Sequence, residues 1–224
     1  MKKIVYVLAL GMVLGFASAV FAQAAKPGQN VMTETVIISP ETGTMTMTMI
    51  NYRSGNDYRM ENYKGQGSKK TLQSLTIASG GFIYVLDPVQ KSGMKAALNN
   101  PMSGQKDPGK PQETSWAKVM EEKKAKGLDV VRREKEKWGG REYEVWRETK
   151  ESKAYVDYYL DKNQMVKRVV SYDSKGQLQQ DLRIIKYEVL KALPAGALDV
   201  PKGYKIEDMS HKNPGAAGGG GSKP

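Results

Sequence analysis

Residues 44–50 read Thr44-Met45-Thr46-Met47-Thr48-Met49-Ile50, a strict two-residue alternation of threonine and methionine. Successive side chains of a β-strand point to opposite faces, so Met45, Met47 and Met49 share one side and the threonines the other. A helix would scatter both sets around its circumference, so this stretch reads as a strand with one apolar face. Outward from it, a turn at Ser54, Gly55 and Asn56 leads into a second strand over 58–63. Residues 72–78 and 82–86 flank Gly80-Gly81 as a hairpin, closed by the Asp87-Pro88 break. The first half is therefore a meander.

The second half repeats the pattern. Residues 129–137 and 141–148 flank Gly139-Gly140; residues 154–160 and 166–172 flank Asp161-Lys162-Asn163. Ser174-Lys175-Gly176 then turns the chain into a long strand over 178–189. This gives about ten strands, too many for a flat open sheet, and favours a strongly curved antiparallel sheet or unclosed barrel. One helix interrupts it over 115–126, with Trp116, Val119 and Met120 at i, i+3 and i+4 and Gly127 as a stop. Ahead of it, residues 99–114 contain Pro101, Pro108 and Pro111, an irregular connection suited to carrying the helix as a lid. A shorter helix is expected over 95–98. The fold class is mainly β: a curved antiparallel sheet with a helical lid.

Composition sets limits on function. The chain has 224 residues, no cysteine, and 35 basic against 24 acidic side chains. Without cysteine there is no disulfide framework, thiolate metal site or cysteine nucleophile. Lys2 and Lys3, the apolar run 4–16 and the small residues 17–22 read as a signal peptide cut after Ala22, or less favourably after Ala19. An uncleaved anchor is the competing reading. Export places the protein in the periplasm, and its positive balance suits anionic membrane surfaces more than nucleic acid; an ordinary solvated basic face is the simpler account. Residues 23–31 and 211–224 read as flexible ends, the latter rich in glycine.

Catalytic constellations are thin. The single histidine, His211, borders the glycine-rich tail, and Glu121 and Glu122 read as a solvated face of the helix. Gly65-Gln66-Gly67 lacks the further glycine and following helix of a dinucleotide loop. No enzyme, metal or cofactor is expected. The positive signal is apolar: unbranched, polarisable methionine conforms to irregular guests such as acyl chains, although a methionine stripe at period two is more often simply core. Over 155–160, Tyr155, Asp157 and Tyr159 share one strand face, while Val156, Tyr158 and Leu160 form an apolar face to pack under the helix.

The order of these segments resembles the periplasmic lipoprotein-carrier superfamily typified by LolA. Asp57-Tyr58-Arg59-Met60-Glu61 resembles its second strand, with an arginine and a glutamate two apart. Gly81-Phe82-Ile83-Tyr84-Val85-Leu86-Asp87-Pro88 is similar to its strand ending in Asp-Pro. Residues 155–161 and 169–172 look like its paired central strands, and Ala197-Leu198-Asp199-Val200-Pro201-Lys202-Gly203-Tyr204 like its closing motif, with Leu198 where an aromatic is usual. The resemblance spans residues 33–208; no amphipathic opening helix precedes the strands.

What the resemblance implies is an unclosed β-barrel covered by helices around a cavity for lipid or lipoprotein acyl chains, in a monomeric carrier or sensor. The expected cavity lining is Met45, Met47, Met49 and Tyr158 from the sheet, and Trp116, Val119 and Met120 from the helix. Arg53 and Arg59 are candidates for the family's lid-latching arginine. The alternative is a non-catalytic envelope scaffold with a filled core and a basic surface that docks a polymer.

Overall fold

The computed structural model describes residues 29–65, 69–98 and 116–210. The leader expected over 1–22, the connection 99–114 and the tail 211–224 lie outside the described residues. Strands β1 (Asn30–Ile38), β2 (Met45–Ser54), β3 (Asp57–Lys64), β4 (Thr71–Ser79), β5 (Phe82–Asp87) and β6 (Ser92–Ala97) form the first meander. The helix α1 (Trp116–Ala125) follows, then β7 (Asp129–Arg132), β8 (Glu136–Trp138), β9 (Arg141–Thr149), β10 (Tyr155–Leu160), β11 (Val166–Tyr172), β12 (Leu178–Leu190) and β13 (Lys205–Asp208).

All thirteen strands belong to one sheet, ordered β13-β6-β5-β4-β3-β2-β1-β12-β11-β10-β9-β7, with β8 also on β9. The two meanders are joined through the antiparallel pair β1 and β12. The path has two free ends, so the sheet is curved and open rather than a closed barrel. Every neighbour pair is antiparallel except β13, which returns parallel to β6. Tight turns hold the register: Gly80 and Gly81 both sit at positive φ (61° and 82°), the conformation a two-residue hairpin needs to match strand twist. Asp87 Oδ1 accepts the backbone N–H groups of Val89 and Gln90 and ends β5 where the Asp-Pro pair predicts a break.

Four expectations need correction. Residues 95–98 are not a helix: Lys95, Ala96 and Ala97 belong to β6, held between β5 and β13. The single strand expected over 129–137 is two, because residues 133–135 leave the ladder between β7 and β8. Residues 30 and 31, read as part of a flexible end, begin β1, and Val31 is buried. That strand, absent from the sequence reading, stands at the centre of the sheet, and the described residues hold thirteen strands rather than about ten.

Each face of the sheet has its own core. On one face Met49 and Met60 join Val130, Trp146, Val156, Tyr158, Leu160, Val166, Val169 and Leu182, with Trp116 and Met120 of α1 packed over them. On the opposite face Leu75, Ile77 and Leu86 pack against Val200, Tyr204 and Ile206 of the C-terminal segment, and Tyr143, Val145, Tyr159 and Val170 form a second cluster. This second face also carries the ion pairs of buried acids. Arg147 grips Asp157 through two hydrogen bonds of 2.7 Å, and Arg168 holds Asp181 through two more.

Candidate functional site

Register places Met47 and Met49 on the helix-covered face, but the expectation that Met45 shares it is corrected: a shift between Ile37 and Ile38 pairs Met45 with Ile38 and takes it out of the alternation. Met47 pairs with Ile37 across β1, and Met49 with Thr35 on one side and Asn62 on the other. Met49 is fully buried, and Met47 packs half-buried against the same cluster. Met45 is half-buried at the start of β2, where its sulfur accepts the Thr48 hydroxyl at 3.5 Å. From the other meander Tyr158 rises to meet Trp116, with ring centroids 5.0 Å apart and planes tilted by 48°. Tilted aromatic pairs contribute about 0.5–1.5 kcal/mol beyond the area they bury. Met120 is fully buried one turn further along α1, whereas Val119 is half-buried beside it. The structure thus brings Met47, Met49, Trp116, Met120 and Tyr158 into one apolar cluster and leaves Met45 and Val119 outside it.

An ion pair fixes the helix to the sheet. Lys123 Nζ donates to Oε2 of Glu148 on β9, and the same oxygen accepts the Tyr158 hydroxyl at 3.2 Å. The Lys123 ammonium also lies 5.8 Å from the Tyr158 ring. Burial, followed by the neighbouring Glu148 carboxylate, pushes the Tyr158 hydroxyl well above the ordinary phenol range. Neither candidate arginine does this work. Arg59 faces the opposite side of the sheet, where its Nε donates to Glu61 at 2.7 Å and its Nη1 to the Ala197 carbonyl at 3.4 Å, tying down the C-terminal segment. Arg53 donates to the Gly55 carbonyl of its own hairpin at 2.8 Å.

The helix-covered face also has a polar band that sequence reasoning missed. The registers of β1 to β4 align Thr33, Asn51, Met60 and Thr76 in one cross-strand row, and Thr35, Met49, Asn62 and Ser74 in the next. Thr33, Thr35, Asn51, Asn62 and Thr76 are all more than nine-tenths buried. Asn62 Nδ2 donates to Ser74 at 2.8 Å, but Asn62 Oδ1, Asn51 Oδ1 and the hydroxyls of Thr33 and Thr35 have no hydrogen-bond partner. The indole N–H of Trp116, on the cover, has none either. A buried polar atom left unpaired costs about 1–3 kcal/mol, so four on one face and a fifth on its cover are a concentrated expense. The only trace in the sequence is the alternation of Thr33 with Thr35 and the step from Met49 to Asn51.

Among the described residues no cluster of His, Asp or Glu is arranged to hold a metal ion, and no helix is long and apolar enough to cross a membrane. The helix-covered face is lined by apolar and uncharged polar side chains, with the Lys123–Glu148 ion pair at its margin.

No family model matches the chain, and no curated protein does. Solved structures do. An uncharacterized conserved protein from Thermus thermophilus superposes with a TM-score of 0.54 at 12% identity, over 81% of this chain and 91% of that one. A LolA superfamily protein from Nitrosomonas europaea aligns at 11% identity over 77% of this chain and 91% of its own, with a TM-score of 0.33. A MucA/MucB complex from Pseudomonas aeruginosa aligns at 13% identity and a TM-score of 0.46, over 83% of this chain and 61% of the matched one. The likeness to the Thermus thermophilus protein is one of fold, and in this chain that fold is an open, curved antiparallel sheet with a helix seated on one face.

Proposed function

We propose that this protein binds a hydrophobic ligand in the periplasm, non-catalytically, taking lipid or lipoprotein acyl chains between the helix-covered face and α1. The observation that carries this reading is the seat of the helix. A ten-residue element covers a methionine-rich floor through Trp116 and Met120, with Lys123 and Glu148 at its margin. Displacing α1 exposes flexible thioether side chains that can repack around a guest. At about 25 cal/mol per Å2 of apolar area, covering one acyl chain supplies several kcal/mol, enough for micromolar binding after association costs. The leader expected over 1–22 and the positive charge balance support an envelope location near anionic lipid.

The packing also favours a second reading. Met49, Met120 and Leu160 have no exposed surface, which suits an envelope scaffold whose interior is filled and whose basic exterior docks a polymer or protein. Binding of a fluorescent fatty acid, followed by displacement with unlabelled lipid, separates the two. Under the carrier reading the protein takes up the probe with micromolar affinity, purifies from its host with lipid detectable by mass spectrometry, and loses uptake when Met47 is replaced by Lys. Lipid-free protein that takes up no probe establishes the scaffold.

A further inference from the structure

The apolar floor is interrupted where a plain grease pocket would be uniform. In the two central rows of β1 to β3, Thr33 faces Asn51 directly, and Thr35 and Asn62 flank Met49. Directly paired side chains lie about 5 Å apart at Cβ, and neighbouring strands about 4.8 Å apart. The four unpaired oxygens therefore fall within a patch of about two strand spacings. Ile37 and Met47 bound it in one outer row. Val31 and Tyr58 bound it in the other, with Arg53 between them donating to the Gly55 carbonyl of its own hairpin.

The chemistry of the patch is specific. An amide oxygen can only accept, so Asn51 and Asn62 call for a hydrogen-bond donor. Threonine hydroxyls can serve either way, so Thr33 and Thr35 can donate to a carbonyl beside that donor. The four residues of the patch itself are uncharged, and a carboxylate seated on the two asparagine oxygens would meet acceptors rather than donors.

Building on the hydrophobic-ligand reading above, we propose that Thr33, Thr35, Asn51 and Asn62 form a hydrogen-bonding subsite that selects neutral lipids whose polar group carries a donor, an amide N–H or a hydroxyl, over esters that have none. The acyl chain runs along the methionine floor once α1 is displaced, and the polar group pairs the oxygens that the protein leaves without a partner. Donor and acceptor matching supplies selectivity because a ligand with the donor pairs asparagine oxygens that are already buried and unpaired, a gain that an ester cannot make.

The test uses two probes with one chain, oleamide and methyl oleate, titrated into the full mature protein by displacement of a fluorescent fatty acid. Oleamide should bind at least about tenfold more tightly than methyl oleate, the loss expected for unpaired polar groups in a buried site. Asn51→Leu should narrow the preference for oleamide by weakening oleamide and leaving methyl oleate unchanged, and adding Asn62→Leu should bring the two probes to equal affinity. Equal affinity of the two probes for the unaltered protein overturns the subsite and leaves the hydrophobic-ligand reading intact. Failure of both probes to bind overturns that reading as well. Thr35→Val gives a measurement independent of the asparagine variant: it keeps the shape of threonine, so it should raise the melting temperature of ligand-free protein and weaken oleamide alone. A fall in melting temperature would mean the hydroxyl is already satisfied, by ordered water for instance, and would overturn the assignment.

Discussion

Lys123 on α1 and Tyr158 on β10 hydrogen-bond the same carboxylate oxygen, Oε2 of Glu148, so the cover and two strands of the sheet meet at one atom. The Lys123 and Glu148 side chains are 30% and 18% exposed, so water partly screens the pair and its contribution stays near ~1 kcal/mol. Lys123→Met removes the charge and retains the aliphatic stem. Amide hydrogen exchange across residues 116–125 should accelerate about fivefold, the equivalent of that energy, while β10 and β11 keep their protection. Unchanged exchange would mean that Trp116 and Met120 alone hold the helix.

Gly93 sits where no side chain fits. A Cβ there would lie 2.5 Å from Leu86 Cδ2 and 2.7 Å from the Val85 carbonyl oxygen. The leucine methyl can turn aside, but the carbonyl belongs to the paired strand β5 and cannot. Gly93→Ala should cost about 1–3 kcal/mol in urea unfolding. Because β13 pairs with β6 through Gly93 and its neighbours, exchange over 205–208 should also rise. In a Leu86→Ala background, where the methyl contact is gone, Gly93→Ala should still lower stability relative to Leu86→Ala alone; no further loss there would show that the carbonyl contact carries no strain.

The residues that betrayed the fold were those whose local chemistry agrees with their environment. The Met45 to Met49 alternation, the Gly80-Gly81 turn and the Trp116 and Met120 spacing each pointed to the element found. Lys95, Ala96 and Ala97 misled because alanine favours helix when isolated, whereas here β5 and β13 supply ladders on both sides and pairing overrides propensity. β1 was invisible for a different reason: Thr33 and Thr35 look solvent-facing, and only the pairing of the two meanders buries them. The same reason hid the polar band. The latch was hidden by distance, since Lys123 and Glu148 are 25 positions apart and meet only after α1 docks. The apolar half of the candidate site was legible; the polar half is a product of register.

Asp181 is 3% exposed between Arg168 and Arg183. Burial alone would raise its carboxyl, but hydrogen bonds from both arginines outweigh burial and hold it below the ordinary carboxylate range. A carboxylate with a lower pKa in the folded chain stabilises the fold above its unfolded value, about 3.9, and that contribution drains as pH falls through the folded value. Urea unfolding should therefore show stability falling below about pH 4, with a shallower fall in Asp181→Asn. Arg168→Met leaves the buried charge with Arg183 alone and should cost about 2 kcal/mol at about pH 7, a deficit that narrows in acid as Asp181 takes up a proton. A deficit that holds constant from neutral pH down to about pH 3 would assign the loss to packing against Trp138 and Tyr159, over which the guanidinium also lies.

Buried tyrosines contribute to stability at alkaline pH. Burial first, then its hydrogen bond to Glu61 Oε2 at 2.8 Å, pushes Tyr63 up to about 12. Burial also raises Tyr158 and Tyr159, reinforced by Glu148 and Glu136. The unfolded chain releases these protons near about pH 10, the folded chain only at higher pH. The stabilisation is therefore complete below about pH 10 and is lost as pH climbs toward the folded values. Tyrosinate absorbance should rise in two stages, exposed rings first and the buried group only together with loss of the β-sheet circular dichroism signal. Tyr158→Phe keeps the ring against Trp116 and removes one of the late protons, so its stability should decline less steeply above about pH 10 even if its value at neutral pH is lower. Equal slopes in the two proteins would mean that Tyr158 ionises without unfolding, which its burial beside the Glu148 carboxylate argues against.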